Sequence, residues 1–247
     1  FKNKGINVYL ESLNRLTRDK NLKKEVLAFI SVPGWVGEPR QDLMDRLNSK
    51  VTFTTPLEVP YITHWLHNMS HDQVLDLMKY LNMSNSRESK VKVIFVPCYL
   101  DGNDGIINMP YYDIILGNDL SVYPSYYEPW GYTPLESVAF KVPTITSDLS
   151  GFGLWVNSVI GHNGELQDGV KVVHRTDYNY SEVADAIKDT ISEFSSLDKK
   201  QIDKIRKNAA TLAEKALWKH FIRYYYEAYD IALRKAALRL GNQNKIS

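Results

Sequence analysis

Two carboxylates, Glu128 and Glu136, stand eight positions apart in the run Ser125-Tyr126-Tyr127-Glu128-Pro129-Trp130-Gly131-Tyr132-Thr133-Pro134-Leu135-Glu136. Ahead of the run, Leu120-Ser121-Val122-Tyr123 reads as a short buried strand. Behind it, Leu135, Val138 and Ala139 recur at helical spacing, and Pro134 sits near a helix start, where its missing N–H costs nothing. The order strand, loop, helix puts one carboxylate on the loop and the other a turn into the helix. Unpaired N–H groups at such a helix start point toward whatever binds there, and they favour anions such as phosphate.

Together with Leu149-Ser150-Gly151-Phe152-Gly153 downstream, the run resembles the nucleotide-sugar motif of retaining glycosyltransferases built from two Rossmann-like domains, the GT-B fold. Within that group it is similar to the glycogen synthases of the animal and fungal type. Glu-x7-Glu alone is a weak signal; the full string with its Ser-Gly-Phe-Gly is a specific one. The similarity runs from Phe1 to about Leu240 and is best at 1–16, 90–97, 111–153 and around Trp218-Lys219. It implies a Rossmann-like α/β domain, a parallel sheet with helices on both faces, forming the C-terminal half of a GT-B enzyme. The implied reaction moves glucose, with retention, from a nucleoside diphosphate glucose to the non-reducing end of an α-1,4-glucan. UDP-glucose is the favoured donor, with ADP-glucose left open.

The resemblance also assigns roles to single positions. Lys4, in Lys2-Asn3-Lys4-Gly5, matches the lysine that meets the donor diphosphate; taken alone it would read as a solvated lysine at a helix start. Glu128 matches the carboxylate set against the donor glucose, either as nucleophile or as electrostatic stabiliser. Its plain alternative is a loop carboxylate capping backbone amides. Glu136 matches the carboxylate that accepts hydrogen bonds from the ribose hydroxyls. Trp130, Gly131, Tyr132 and Thr133 are expected to offer backbone N–H groups, and Thr133 its hydroxyl, to phosphate and sugar. Tyr111 falls where an aromatic ring stacks on the nucleobase, with Tyr112 an adjacent competitor. In the family a strand ending in an Arg-containing stretch, and a whole N-terminal domain, precede the Lys-Asn-Lys-Gly. The chain therefore reads as the donor-binding half of a longer, homo-oligomeric enzyme, inactive alone. The stretch 205–211 keeps few of the basic residues that bind glucose 6-phosphate in animal and fungal members, so that activation is not carried over.

Bulk properties agree with this reading. The 247 residues are 44% hydrophobic and carry a net charge of +1, which argues against a nucleic-acid or membrane-surface partner. Cys98 is the one cysteine, so no internal disulfide is possible and a reducing, cytoplasmic setting is the default. No apolar run is long enough to span a bilayer. The Asn-x-Ser triplets at Asn68, Asn82 and Asn179 would matter only in a secreted protein. No compact Asp/His run has metal-ligand spacing, and Asp101-Gly102-Asn103-Asp104-Gly105 lacks the remaining positions of a calcium loop, so it reads as a turn. A donor bound without metal or cofactor must have its phosphate charge met by Lys or Arg and by helix starts.

The elements that must position these groups alternate. Apolar runs at 26–32, 92–96, 120–123, 143–146 and 170–173 read as buried strands, and helical patterns fall at 4–19, 71–82, 111–117, 133–141, 181–196 and 199–216. Ser150-Gly151-Phe152-Gly153 reads as a turn at the pocket wall. Residues 34–70 lack clean periodicity and suggest an insertion or a helical excursion. The expected division is a nucleotide-sugar-binding domain over 1–215 and a segment 216–247 whose aromatic helix would pack on the N-terminal domain, followed by a polar tail after Gly241. Two other readings stay open: a glucan-binding module without transferase activity, and a related retaining glycosyltransferase with another acceptor.

Overall fold

The computed structural model describes the backbone of residues 1–243 and the side chains of residues 1–240; the end of the polar tail lies outside the described residues. In chain order the elements are α1 (Ile6–Leu16), β1 (Val26–Ser31), β2 (Val36–Pro39), α2 (Gln41–Asn48), β3 (His64–Leu66), α3 (Gln73–Tyr80), β4 (Val91–Val96), α4 (Tyr111–Leu116), β5 (Ser121–Tyr123), α5 (Tyr132–Ala139), β6 (Thr144–Ser147), α6 (Gly151–Ile160), β7 (Val170–Val173), α7 (Tyr180–Ser196), α8 (Lys199–Lys215) and α9 (Trp218–Gln243).

The continuous apolar runs pair in parallel. β6 is buried along its whole length, whereas Leu27, Phe29 and Ser31 leave one face of β1 exposed. β1 lies beside β4 in register from Val26↔Val91 to Ser31↔Val96, and β5, β6 and β7 form a second parallel set with β6 in the middle. These orders are the two flanks of a doubly wound Rossmann sheet. The flanks do not pair with each other, so among the described residues β1 and β5 each keep one free edge. Residues 1–5 bridge the break at the carboxyl ends. Phe1 joins Val32, Trp35 and His71 around a cavity of about 320 Å³ beyond β1. Two residues on, the Asn3 carbonyl accepts from Tyr126 N, just past β5, at 2.7 Å.

Burial explains why α1 forms where it does. Leu10, Leu13 and Leu16 recur at helical spacing and are 0% exposed, because α3 and α7 pack against the helix and the sheet closes over it. Its start is set by Gly5 at φ 71°. A Cβ there would sit 2.0 Å from the Pro124 carbonyl oxygen, so only glycine allows the approach. Further on, Asp198 and Gln201 form a reciprocal cap that starts α8.

Two segments differ from expectation. Residues 34–70 hold a helix, the short α2, but also an antiparallel pair, β2 with β3, that was not expected. Ser150 does not sit in a bare turn: its hydroxyl accepts from Gly153 N at 3.0 Å and caps α6, a helix over 151–160. Gly153 lets that helix press on β6, since a Cβ would lie 2.1 Å from the Ser147 carbonyl oxygen. From Arg223 to Leu240, α9 is exposed on every side, aromatics included.

Candidate functional site

The Glu128 loop lies beyond the carboxyl end of β5, where ligands of open α/β sheets bind. Backbone hydrogen bonds stitch it to the start of α6. Glu128 N donates to Leu149 O at 3.2 Å, Gly151 N to Glu128 O at 3.0 Å, and Phe152 N to Trp130 O at 2.6 Å. The Ser147 hydroxyl adds a bond to Ser125 O at 2.5 Å. With the main chain thus occupied, the Glu128 side chain stays available, and it forms an ion pair with Lys4. The lysine is 58% exposed and the glutamate 25%, so the pair is open to solvent and can be parted by a ligand. The two residues that the resemblance makes catalytic therefore touch, 124 positions apart in sequence.

Gly131, buried at φ 108°, starts α5 with no side chain capping it, while Tyr132 and Thr133 behind it are exposed. The first amides of α5 thus face the open side of the loop with positive dipole character. Trp130 has another task. Its ring packs against Phe152, Trp155 and Phe221 at centroid distances of 6.3, 6.0 and 5.6 Å, which ties α6 to the first turn of α9. Only its backbone borders the site.

Glu136, on the first full turn of α5, accepts from the Tyr112 hydroxyl at 3.2 Å. The negative charge of Glu136 pushes the Tyr112 phenol up from its ordinary value. Tyr111 is half-buried with its hydroxyl enclosed and unpaired, next to Tyr123 and Glu136, and burial chiefly pushes that phenol up. Both rings of the Tyr111–Tyr112 pair, 5.4 Å apart, thus lie by Glu136, the inner one packed and the outer one reachable.

Sequence reasoning missed two features here. Asp148 accepts from Arg175 N at 2.9 Å and holds His174 Nδ1 at 2.6 Å, joining the ends of β6 and β7. Arg175 is itself buried beneath the loop. Neither has a local pattern; the strands bring them together. Elsewhere, ligand atoms of His64, Cys98 and Asp104 lie within 4.8 Å of one another, a grouping that separations of up to 40 positions conceal. Two of its three groups, His64 and Asp104, are already engaged. His64 Nε2 meets Asp104 O at 2.7 Å and Nδ1 meets the Thr63 hydroxyl, while the Asp104 carboxylate accepts amides of Ile106, Ile107 and Asn108. Those amides hold the Asp104 carboxyl below the usual range although burial opposes them.

The two parallel strand sets flanked by helices, with carboxylates gathered at the strand ends, define a Rossmann-like α/β domain. The model of the glycogen synthase family matches residues 42–244. This chain is 32% identical to glycogen [starch] synthase isoform 1 of Saccharomyces cerevisiae over 72% of its own length, and 30% identical to the liver enzyme of Mus musculus over the same share. It is 27% identical to the Neurospora crassa glycogen [starch] synthase over 96% of its length. The chain belongs to the glycogen synthase family. It spans between 25% and 41% of the length of these relatives.

Proposed function

We propose that this chain holds the donor of a retaining glucosyltransferase that adds glucose from a nucleoside diphosphate glucose, UDP-glucose favoured, to the non-reducing end of an α-1,4-glucan. The observation that carries the reading is the Lys4–Glu128 pair beside the uncapped start of α5. On donor binding, the diphosphate takes the Lys4 ammonium and the amides at Tyr132 and Thr133. Glu128 is thereby released to face the anomeric carbon. As the diphosphate leaves, positive charge grows at that carbon, and a nearby carboxylate stabilises it whether or not it forms a bond. The ribose hydroxyls replace Tyr112 on Glu136, and a base stacks on the Tyr111–Tyr112 pair. No metal is needed where a lysine and a helix start supply the positive charge. Cytoplasmic placement and homo-oligomeric assembly of the longer enzyme belong to the same proposal.

Calorimetric titration with UDP, ADP and maltooligosaccharide side by side tests the reading. Binding of one nucleotide, weakened at least tenfold by Glu136→Ala, is the expected result. Glucan binding with no nucleotide affinity would instead make the chain a carbohydrate-holding module, a reading favoured by the exposed Tyr224, Tyr225, Tyr226 and Tyr229 on α9.

A further inference from the structure

Arg175, just past β7, is 6% exposed, yet among the described residues no carboxylate pairs with its guanidinium. Asp148, the nearest acidic group to its main chain, is turned to the Arg175 amide and to His174. The guanidinium instead donates to the Pro124 carbonyl, at the head of the Glu128 loop, and lies 5.3 Å from the centre of the Tyr126 ring. It also backs onto Gly5, where a Cβ would lie 2.8 Å from its Nη1. One buried cation therefore touches both segments that carry the Lys4–Glu128 pair. An arginine in that position is expensive: a buried charge without a partner destabilises a fold, and burial lowers its proton affinity.

We propose that Arg175 is a positioning residue for the donor site, fixing the Lys4 segment against the Glu128 loop, and that its unbalanced charge is met by the anionic diphosphate that binds there. This rests on the donor-site reading above. Its consequence separates it from a purely structural strut. A strut stabilises the empty protein and serves charged and uncharged ligands alike. A charge held in reserve weakens the empty protein and serves the phosphate alone.

The test compares the whole chain with Arg175→Met and Arg175→Lys, measuring thermal unfolding without ligand and affinity for UDP, inorganic pyrophosphate and uridine. Expected for Arg175→Met are an unfolding midpoint equal to or above that of the parent, at least tenfold weaker UDP and pyrophosphate binding, and unchanged uridine binding. Arg175→Lys, which keeps the charge but not the fork, should fall between. UDP affinity within twofold of the parent in both variants overturns the proposal, as does an equal loss for UDP and uridine. If Arg175→Met does not fold, the charge-in-reserve argument fails with it, and Arg175→Lys then measures the positioning part alone. A parent chain that binds neither UDP nor pyrophosphate overturns the donor-site reading itself, an outcome visible before any variant is made.

Discussion

At the scale of single residues, two groups outside the donor site show how neighbours define a side chain's chemistry. Asp104 accepts three backbone amides and its carboxyl is held below the ordinary value near 4. Because the folded value is the lower one, its contribution is complete above the unfolded value and fades as pH falls through the folded one. Asp104→Asn should therefore cost about 1–2 kcal/mol at neutral pH and progressively less as the pH falls below about 4, which urea titrations over a series of pH values would reveal. Cys98 is a second case. Burial, helped by the nearby Asp104, pushes its thiol up from 9.0 to about 11. At pH 8 its alkylation by iodoacetamide should run about 100-fold slower than that of an ordinary thiol, and denaturant should abolish the difference.

At the scale of elements, glycines and one phenylalanine hold the site in place. Gly5→Ala forces a side chain into a left-handed backbone position and into the Pro124 carbonyl, so a loss above about 2 kcal/mol is expected in chemical denaturation. Phe152, 0% exposed, packs from α6 against Trp130, and Phe152→Ala should cost about 3–5 kcal/mol. The strands that frame the site were legible because their apolar runs are unbroken, and the Glu128 loop because its motif is contiguous. α6 was not, since Ser150-Gly151-Phe152-Gly153 has the composition of a turn; only the Ser150 cap and the contact of Gly153 with Ser147 make it a helix start. Residues 34–70 were unreadable for a related reason. The β2–β3 pairing joins positions about 30 apart through a shifted register, which leaves no period to find. Arg175 and the Asp148–His174 pair belong to the same class, because partners on neighbouring strands leave no trace in local order.

At the scale of the whole molecule, one contiguous core stretches from β1 and β4 across α1 to α7, and it includes Ile145 and Val173 from the other flank. Among the described residues, α9 meets the rest of the fold through its first turns, where Phe221 packs on Trp130 and Trp155. A chain ending after Ile222 should thus unfold within about 2 °C of the full one in a thermal scan, a result that a load-carrying helix would not allow. The division of the sheet acts in the opposite direction. Val26 N donates to Lys90 O just before β4 and Val32 N to Val96 O at its end, so the alternation of a parallel ladder turns the amides of Leu27, Phe29 and Ser31 to the free edge of β1. Leu27 and Phe29 are 56% and 40% exposed there, and no charged residue interrupts Val26–Ser31. Natural edge strands are usually guarded by a lysine, a proline or a bulge. Left unguarded, this stretch sets the shelf life of the protein: concentrated stocks should slowly grow ordered, dye-binding aggregates, and a single Phe29→Lys change should keep them clear.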